Sequence, residues 1–169
     1  MHQGLTIENL SSYMHWGLWW QGSQGQSLID LPSGNNSAYT LQPEYHAFKH
    51  YSAFIHADWR RLQTTTAGNL LTSSYSSADR TQLSIVIVNN DSTSTSVNLN
   101  VEDAVVTNGG VYQSTDVLDC AYLGTYSPGD TQHSKRNLGT EEVLYFILFL
   151  HQLTTIGSKQ NVILVIQDV

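Results

Sequence analysis

The sequence predicts a mainly β chain in which a short mixed segment precedes an antiparallel sheet. First, the spacing of apolar residues changes from helical to alternating after Ala57, with Val, Thr and Ile in short segments between polar turns. Second, residues 82–89 form the clearest strand pattern. Third, residues 96–101 alternate cleanly after a turn sequence, so they are predicted to pair back on 82–89 as a hairpin. Further strands are predicted at residues 60–65, 69–74, 110–114 and 144–155.

The amino-terminal third predicts only a few elements. A helix ends within residues 5–10, and residues 12–20 read as one strand dense in aromatic side chains. The loop that follows contains a short strand at residues 27–31, and Pro43 suits the first turn of a helix that extends to about Ile55. One strand and one helix cannot close a core. Residues 1 to about 56 are therefore expected to complete a structure whose earlier part lies outside this chain.

Composition and charge exclude several classes of function. Only 12% of residues are charged and the formal net charge is -7, with 7 Lys and Arg residues that form no stripe, so we expect no nucleic-acid partner. The longest apolar run, residues 143–150, is too short to span a bilayer, and no signal-peptide pattern opens the chain, so no membrane insertion is expected. The single Cys120 is expected to be a buried, inert thiol.

The seven histidines raise the question of a metal site. His46 and His50 lie four residues apart, a spacing that can chelate zinc on one helical face. Neither has an adjacent Glu in the hydrolase pattern, and no third ligand lies in evident register. We therefore expect neither a metal nor another cofactor.

Three blocks of sequence, in order, resemble the glycoside hydrolases of family 30. Residues 5–20 are similar to the last inter-strand helix and the eighth strand of that family's (β/α)₈ barrel, and residues 43–55 are similar to its final barrel helix. Residues 83–90, with 111–115 and 123–126, resemble the appended sandwich. The resemblance implies an antiparallel β-sandwich preceded by the last strand and helix of an incomplete (β/α)₈ barrel.

The resemblance also implies a domain division and a function. Residues 1–56 would be the end of the catalytic barrel and residues 57–169 the sandwich, with 131–169 atypical of the family. The family places both catalytic carboxylates on earlier barrel strands, so no catalytic residue is assigned here. The chain is expected to be a fragment of a secreted retaining β-glycosidase acting on plant or fungal xylan, β-1,6-glucan or β-1,6-galactan. It is expected to be inactive without the missing amino-terminal barrel portion. The family usually has Pro-Gly near residues 57 and 58, where this chain has Ala57 and Asp58.

The resemblance places a sugar site at the end of the aromatic strand. The carboxyl end of a barrel strand faces the active site, so Trp16 is expected to form a wall of the subsite on the non-reducing side of the scissile bond. A Trp face suits a pyranose because the axial C–H groups of the ring present an apolar patch to the π cloud. One of Trp19 and Trp20 would line the cleft and the other pack under the loop, and Asp30 is a further candidate for orienting sugar hydroxyls. The expected substrate-binding residues are Tyr13, His15, Trp16, Trp19 and Trp20.

Two other readings remain open on the sequence alone. A non-catalytic carbohydrate-binding or structural β-sandwich module would present Trp16, Trp19 and Trp20 in a planar exposed row. A truncated chain without a function of its own would expose a large apolar face along residues 13–20 and 45–55. An enzyme fragment predicts instead that Trp16 lies at the mouth of an unfinished barrel.

Overall fold

The computed structural model divides the chain into two compact units, Met1–Tyr51 and Ser52–Val169. The described residues are 1–22, 25–33, 38–64, 70–91, 93–99, 105–115, 119–127, 135–138 and 143–151. Within them the chain forms eleven strands and two helices, which confirms the mainly β prediction. Neither of the described helices is long and apolar enough to cross a membrane.

The first unit is built from short elements. Helix α1 spans His2–Thr6, and strands β1, β2 and β3 span Trp19–Gln21, Ile29–Leu31 and Thr40–Leu41. The strands form one sheet in the order β1-β2-β3, in which β1 and β2 are parallel and β2 and β3 antiparallel. Helix α2 spans Pro43–Ser52, so its last residue belongs to the second unit. It begins at Pro43 as predicted, because a Pro at the first helical position loses no helical hydrogen bond.

The prediction of one strand over residues 12–20 is wrong for most of its length. Of these residues only Trp19 and Trp20 lie in β1. Backbone hydrogen bonding to the neighbouring segment begins at Gly17, whose carbonyl accepts from the Leu28 amide at 3.0 Å. A strand needs a paired partner as well as suitable side chains, and β2 has three residues. The aromatic residues before Gly17 therefore lie in irregular backbone.

Helix α2 buries two residues near its carboxyl-terminal end. Helical spacing predicts a buried stripe of Tyr45, Phe48, Tyr51, Ser52 and Ile55. Of these, Tyr51 is buried and Tyr45, Phe48 and Ile55 are half-buried, but Ser52 is exposed. The helix also buries His50 completely, although the apolar periodicity does not mark that position. The last turn of α2 therefore holds a polar, titratable side chain in the interior.

The second unit contains two sheets in which all pairings are antiparallel. Its strands β4 to β11 span, in order, Arg60–Leu62, Leu70–Ser76, Gln82–Asn89, Thr95–Asn98, Val105–Ser114, Ala121–Tyr126, Lys135–Leu138 and Val143–His151. One sheet has six strands in the order β4-β5-β6-β11-β8-β9, and β7 pairs with β10 in the other. Strand β6 coincides with the run predicted at residues 82–89. The predicted extension of the last strand to residue 155 lies outside the described residues.

The core of this unit lies on one face of the six-stranded sheet. Alternate residues of β6, namely Leu83, Ile85 and Ile87, are fully buried there, and Val97 of β7 belongs to the same apolar cluster. Side chains of β6 at every second position share one face, so this row forms the centre of the cluster. The other buried members are Leu70, Leu99, Val111 and Tyr126.

The opposite face of β6 is buried as well. Ser84 is fully buried and donates a hydrogen bond to the Phe54 carbonyl at 2.9 Å, and Val86 is also fully buried. Phe54 in turn packs against Tyr112 of β8, with ring centroids 4.7 Å apart. A strand covered on both faces carries few exposed positions, which explains why β6 reads as an almost continuous apolar run.

The predicted hairpin between residues 82–89 and 96–101 is wrong. Strand β6 pairs with β5 along one edge and with β11 along the other, so neither of its edges is free for β7. Strand β7 pairs with β10 instead, from Thr95↔Leu138 to Asn98↔Lys135. The segment after β6 therefore leads from one sheet to the other.

Asp58 has a backbone conformation that favours glycine. Its φ is 66°, in the left-handed region where a Cβ costs roughly 1–2 kcal/mol, and Asp is among the few non-glycine residues that visit this region. The enzymes that the sequence resembles usually have glycine near this position. This chain therefore has Asp58, in place of the usual glycine, at a position where the backbone conformation disfavours a Cβ.

We expect Asp58→Gly to raise the free energy of unfolding by about 0.5–1 kcal/mol, since relief of roughly 1–2 kcal/mol of strain exceeds the roughly 0.5–1 kcal/mol entropic cost of a glycine. Asp58→Ala, which keeps the Cβ, is the control and should be no more stable than wild type. Urea denaturation of the three proteins measures the differences. A glycine variant that is less stable than wild type contradicts the strain argument.

Candidate functional site

The aromatic segment, defined as residues 13–20, is the main exposed apolar feature of the first unit. Trp16 is 93% exposed, and Trp19 and Trp20 are 59% and 60% exposed. Met14 and Leu18 are exposed beside them. The aromatic segment is therefore the candidate surface for binding a ligand or another protein.

The ladder of β1 and β2 fixes the directions of two of the three tryptophans. Trp19 is aligned with Ile29 and Trp20 with Asp30. Because successive side chains of a strand point to opposite faces, Trp19 and Trp20 face opposite sides of the small sheet. The three tryptophans therefore do not form one planar row.

Tyr13 and His15, the two polar aromatic candidates, make local contacts. The Tyr13 ring lies 6.2 Å from that of Phe48 on α2, at an interplanar angle of 51°. His15 is half-buried, and its Nδ1 lies 3.2 Å from the Gly17 carbonyl oxygen and 3.4 Å from the Gly17 amide nitrogen. These contacts hold both rings near the start of the aromatic segment.

Asp30 lies beside the aromatic segment and bonds within the protein. Its carboxylate accepts hydrogen bonds from the Gly25 amide at 2.9 Å and from Gln42 Nε2 at 3.2 Å. Ser27 Oγ lies 3.2 Å from Oδ1 and shares its one proton with the Ile29 carbonyl, which is closer, at 2.8 Å. Sequence reasoning offered Asp30 as a group that orients sugar hydroxyls. It missed this internal network, because the three donors come together only through the fold of the loop.

A truncated chain is expected to expose apolar side chains along residues 13–20 and 45–55, and only the first of these segments is exposed. Residues of the aromatic segment are exposed, including Tyr13 at 41%. On the second segment, Tyr45, Phe48 and Ile55 are half-buried and Tyr51 is buried. The exposed apolar surface is thus concentrated at the residues predicted to bind sugar.

Two histidines of the first unit, His2 and His50, have lowered pKa values. Burial, then the neighbouring charges of Lys49 and His46, lowers the pKa of His50 to about 4. Burial, then the positive amino terminus, lowers the pKa of His2, whose Nδ1 lies 3.3 Å from Tyr51 Oη. Among the described residues no group of three His, Cys, Asp or Glu side chains is placed to hold a metal ion. The lowered pKa values keep both histidines neutral near pH 7.

Cys120 is buried, as predicted. Its backbone has φ 52°, and its amide donates a hydrogen bond to Ser114 Oγ at 2.9 Å. Cys120 directly precedes β9, which begins at Ala121.

Comparisons with known proteins identify the class of fold. No protein-family profile matches the sequence, and no curated protein matches it. Among solved structures, the catalytic domain of the GH30 xylanase C from Talaromyces cellulolyticus is similar with a TM-score of 0.70 and 19% identity, over 87% of this chain and 33% of that chain. A family 30, subfamily 8 xylanase from Clostridium acetobutylicum has a TM-score of 0.68 and 20% identity, over 88% and 36%. A conserved exported protein from Bacteroides fragilis has a TM-score of 0.68 and 22% identity, over 86% and 31%.

These similarities confirm the predicted resemblance in fold. The chain has the fold of the carboxyl-terminal part of the glycoside hydrolase family 30 xylanases. It spans about a third of the length of the xylanase chains that it matches.

Proposed function

We propose that this chain is a fragment of a secreted retaining β-glycosidase of family 30. Residues 1–56 would form the end of the catalytic barrel and residues 57–169 an antiparallel β-sandwich. The missing amino-terminal barrel portion would be its partner. The fold likeness to xylanases supports this assignment, and the exported protein from Bacteroides fragilis supports an extracellular location for the parent enzyme.

The observation that carries the sugar-binding role is the exposure of Trp16 within this fold, at 93%. A free indole face can stack on the apolar side of a pyranose ring, while Tyr13 and His15 offer polar atoms at its rim. Trp19 and Trp20 face opposite sides of the small sheet, so one of them extends the platform. The proposed substrate-binding residues are those five.

Catalysis is assigned to the rest of the enzyme. Retaining hydrolysis uses an acid/base and a nucleophile about 5–5.5 Å apart, and it passes through a covalent glycosyl-enzyme. The family resemblance puts both carboxylates on earlier strands, and the Asp30 carboxylate, on the residue aligned with Trp20, is engaged by Gly25, Ser27 and Gln42. This chain therefore contributes sugar binding and is inactive by itself.

The proposed substrate is a neutral β-linked polysaccharide, namely xylan, β-1,6-glucan or β-1,6-galactan. Xylan is favoured because the similar structures from Talaromyces cellulolyticus and Clostridium acetobutylicum are described as xylanases. Aromatic stacking depends on the apolar face of the sugar ring and requires no charge on the sugar, which fits a neutral polysaccharide.

Calorimetric titration of the purified chain tests the binding role. Xylohexaose and a β-1,6-linked glucohexaose are the probes, and α-1,4-linked maltohexaose is the matched control of equal size. We expect saturable binding of at least one β-linked probe and weaker binding of maltohexaose. The absence of binding to both β-linked probes would overturn the sugar-binding role.

A non-catalytic carbohydrate-binding module is the second candidate. It is favoured by the exposure of all three tryptophans of the aromatic segment. It is disfavoured by the opposed directions of Trp19 and Trp20, since a flat platform for polysaccharide needs its rings on one side. Such a module would bind polysaccharide, and a polypeptide extended upstream of it would show no hydrolytic activity.

A further inference from the structure

The connection between β1 and β2 is unusually short for parallel strands. Strand β1 ends at Gln21 and β2 begins at Ile29, so residues 22–28 alone join them. Parallel neighbours ordinarily need a connection of about a dozen residues or more, because the chain must return to the same end of the sheet. A short connection of this kind requires specific interactions that hold it folded.

Backbone features at Gly22 and Gly25, two described residues of the connection, fit this requirement. The Gly22 amide donates to the Leu31 carbonyl at 2.8 Å, directly after β1. Gly22 and Gly25 have φ values of 67° and 86°, a region in which only glycine is free of strain. A Cβ on Gly22 would lie 2.8 Å from Ser33 Oγ. The backbone at these two positions therefore favours glycine.

The carboxylate of Asp30 joins three parts of this structure. Its Oδ2 accepts from the Gly25 amide in the connection and from Gln42 Nε2 just before α2, while its Oδ1 accepts from Ser27 Oγ. Hydrogen bonds to an ionised acceptor are roughly twice as strong as neutral ones. Asp30 is also aligned with Trp20 in the β1–β2 ladder. One side chain thus ties the connection, β2 and the start of α2 to the strand that bears Trp19 and Trp20.

We propose that Asp30 is a positioning residue for the sugar-binding aromatic segment, and that it acts by holding Gly25 and Gln42 against β2 rather than by contacting sugar. The proposal rests on the proposed sugar-binding function. Loss of the carboxylate releases the Gly25 amide and Gln42 Nε2 together, whereas Ser27 Oγ keeps its hydrogen bond to the Ile29 carbonyl at 2.8 Å. Strand β1, which has three residues, then loses the support that fixes the directions of its tryptophans.

The test uses near-ultraviolet circular dichroism of the sugar-free protein and calorimetric titration with xylohexaose. All variants carry Trp59→Phe, which removes the one tryptophan outside the aromatic segment. We expect Asp30→Ala to lose most of the tryptophan dichroism and to bind xylohexaose about tenfold more weakly, since 1.4 kcal/mol corresponds to a factor of ten. Glu44→Ala, an exposed carboxyl side chain on α2, is the matched control and should change neither signal.

Two milder variants keep the test decisive if Asp30→Ala fails to fold. Asp30→Asn retains an oxygen for Ser27 but presents an NH₂ group toward the other two donors, so we expect an intermediate loss of dichroism. Gln42→Ala removes one donor, and we expect a smaller loss of the same kind. Unchanged dichroism in both variants overturns the proposal.

The outcomes separate this proposal from the sugar-binding function. If the wild-type chain fails to bind, the binding function fails, while the dichroism still decides the role of Asp30. If Asp30→Ala loses affinity with unchanged dichroism, Asp30 contacts sugar directly and the positioning role is overturned.

Discussion

Replacing Trp16 with Ala is expected to weaken the binding of xylohexaose about tenfold or more. Trp16 is the most exposed large apolar residue described, at 93%, so its indole face is available to a sugar ring. Truncating a tryptophan at the centre of a binding surface ordinarily costs about 2 kcal/mol or more, which exceeds the 1.4 kcal/mol of a tenfold change. The affinity is measured by calorimetric titration rather than by fluorescence, because the variant loses a tryptophan fluorophore.

Met14→Ala is the matched control for this experiment. Met14 is 88% exposed in the same segment and has no aromatic face, so its loss should change the affinity less than threefold. Trp16→Phe, which keeps a smaller ring, should lie between Trp16→Ala and wild type. Equal effects of Met14→Ala and Trp16→Ala would mean that general apolar surface, and not ring stacking, governs the interaction.

The second large effect concerns stability and pH. Burial in the folded protein lowers the pKa of His50 to about 4, whereas a histidine in an unfolded chain has a pKa of 6.5. Between these values the unfolded state binds one more proton than the native state, so stability rises with pH there. The stabilisation is complete above pH 6.5 and is lost as the pH falls toward 4. The slope is about 1.4 kcal/mol per pH unit, which amounts to about 3 kcal/mol over the interval.

Urea denaturation from pH 4.5 to 7, followed by tryptophan fluorescence, measures this dependence. We expect His50→Gln to flatten the slope, because glutamine is not protonated in this range. A residual slope of the same sign is expected from His2, whose pKa is also lowered. Ser52→Ala, an exposed change on the same helix, should keep the wild-type profile. A wild-type stability that is constant from pH 4.5 to 7 contradicts the burial argument.

The sequence predicted those elements whose signals are local. Strand β6 was found to the residue because its apolar run is bounded by polar turns, and α2 was found at Pro43 because proline marks a helix start. The resemblance in fold was found from blocks that match in order along the chain. These features need no knowledge of distant partners.

The errors concern features that depend on distant partners. Strand β7 pairs with residues 135–138, about forty residues further on, and nothing in its own alternation distinguishes that partner from β6. The aromatic strand was predicted too long because side-chain type indicates a strand without showing where a partner is available. The burial of His50 and the donors around Asp30 also depend on tertiary contacts, so composition and spacing do not reveal them.

The most direct test of the central claim is the release of reducing sugar from xylan, β-1,6-glucan and β-1,6-galactan. The 169-residue chain is compared with a polypeptide extended upstream through the proposed barrel strands. We predict activity in the extended polypeptide alone, with both catalytic carboxylates in the added segment. Hydrolysis by the 169-residue chain itself would contradict the account and would place the catalytic carboxylates among its own residues.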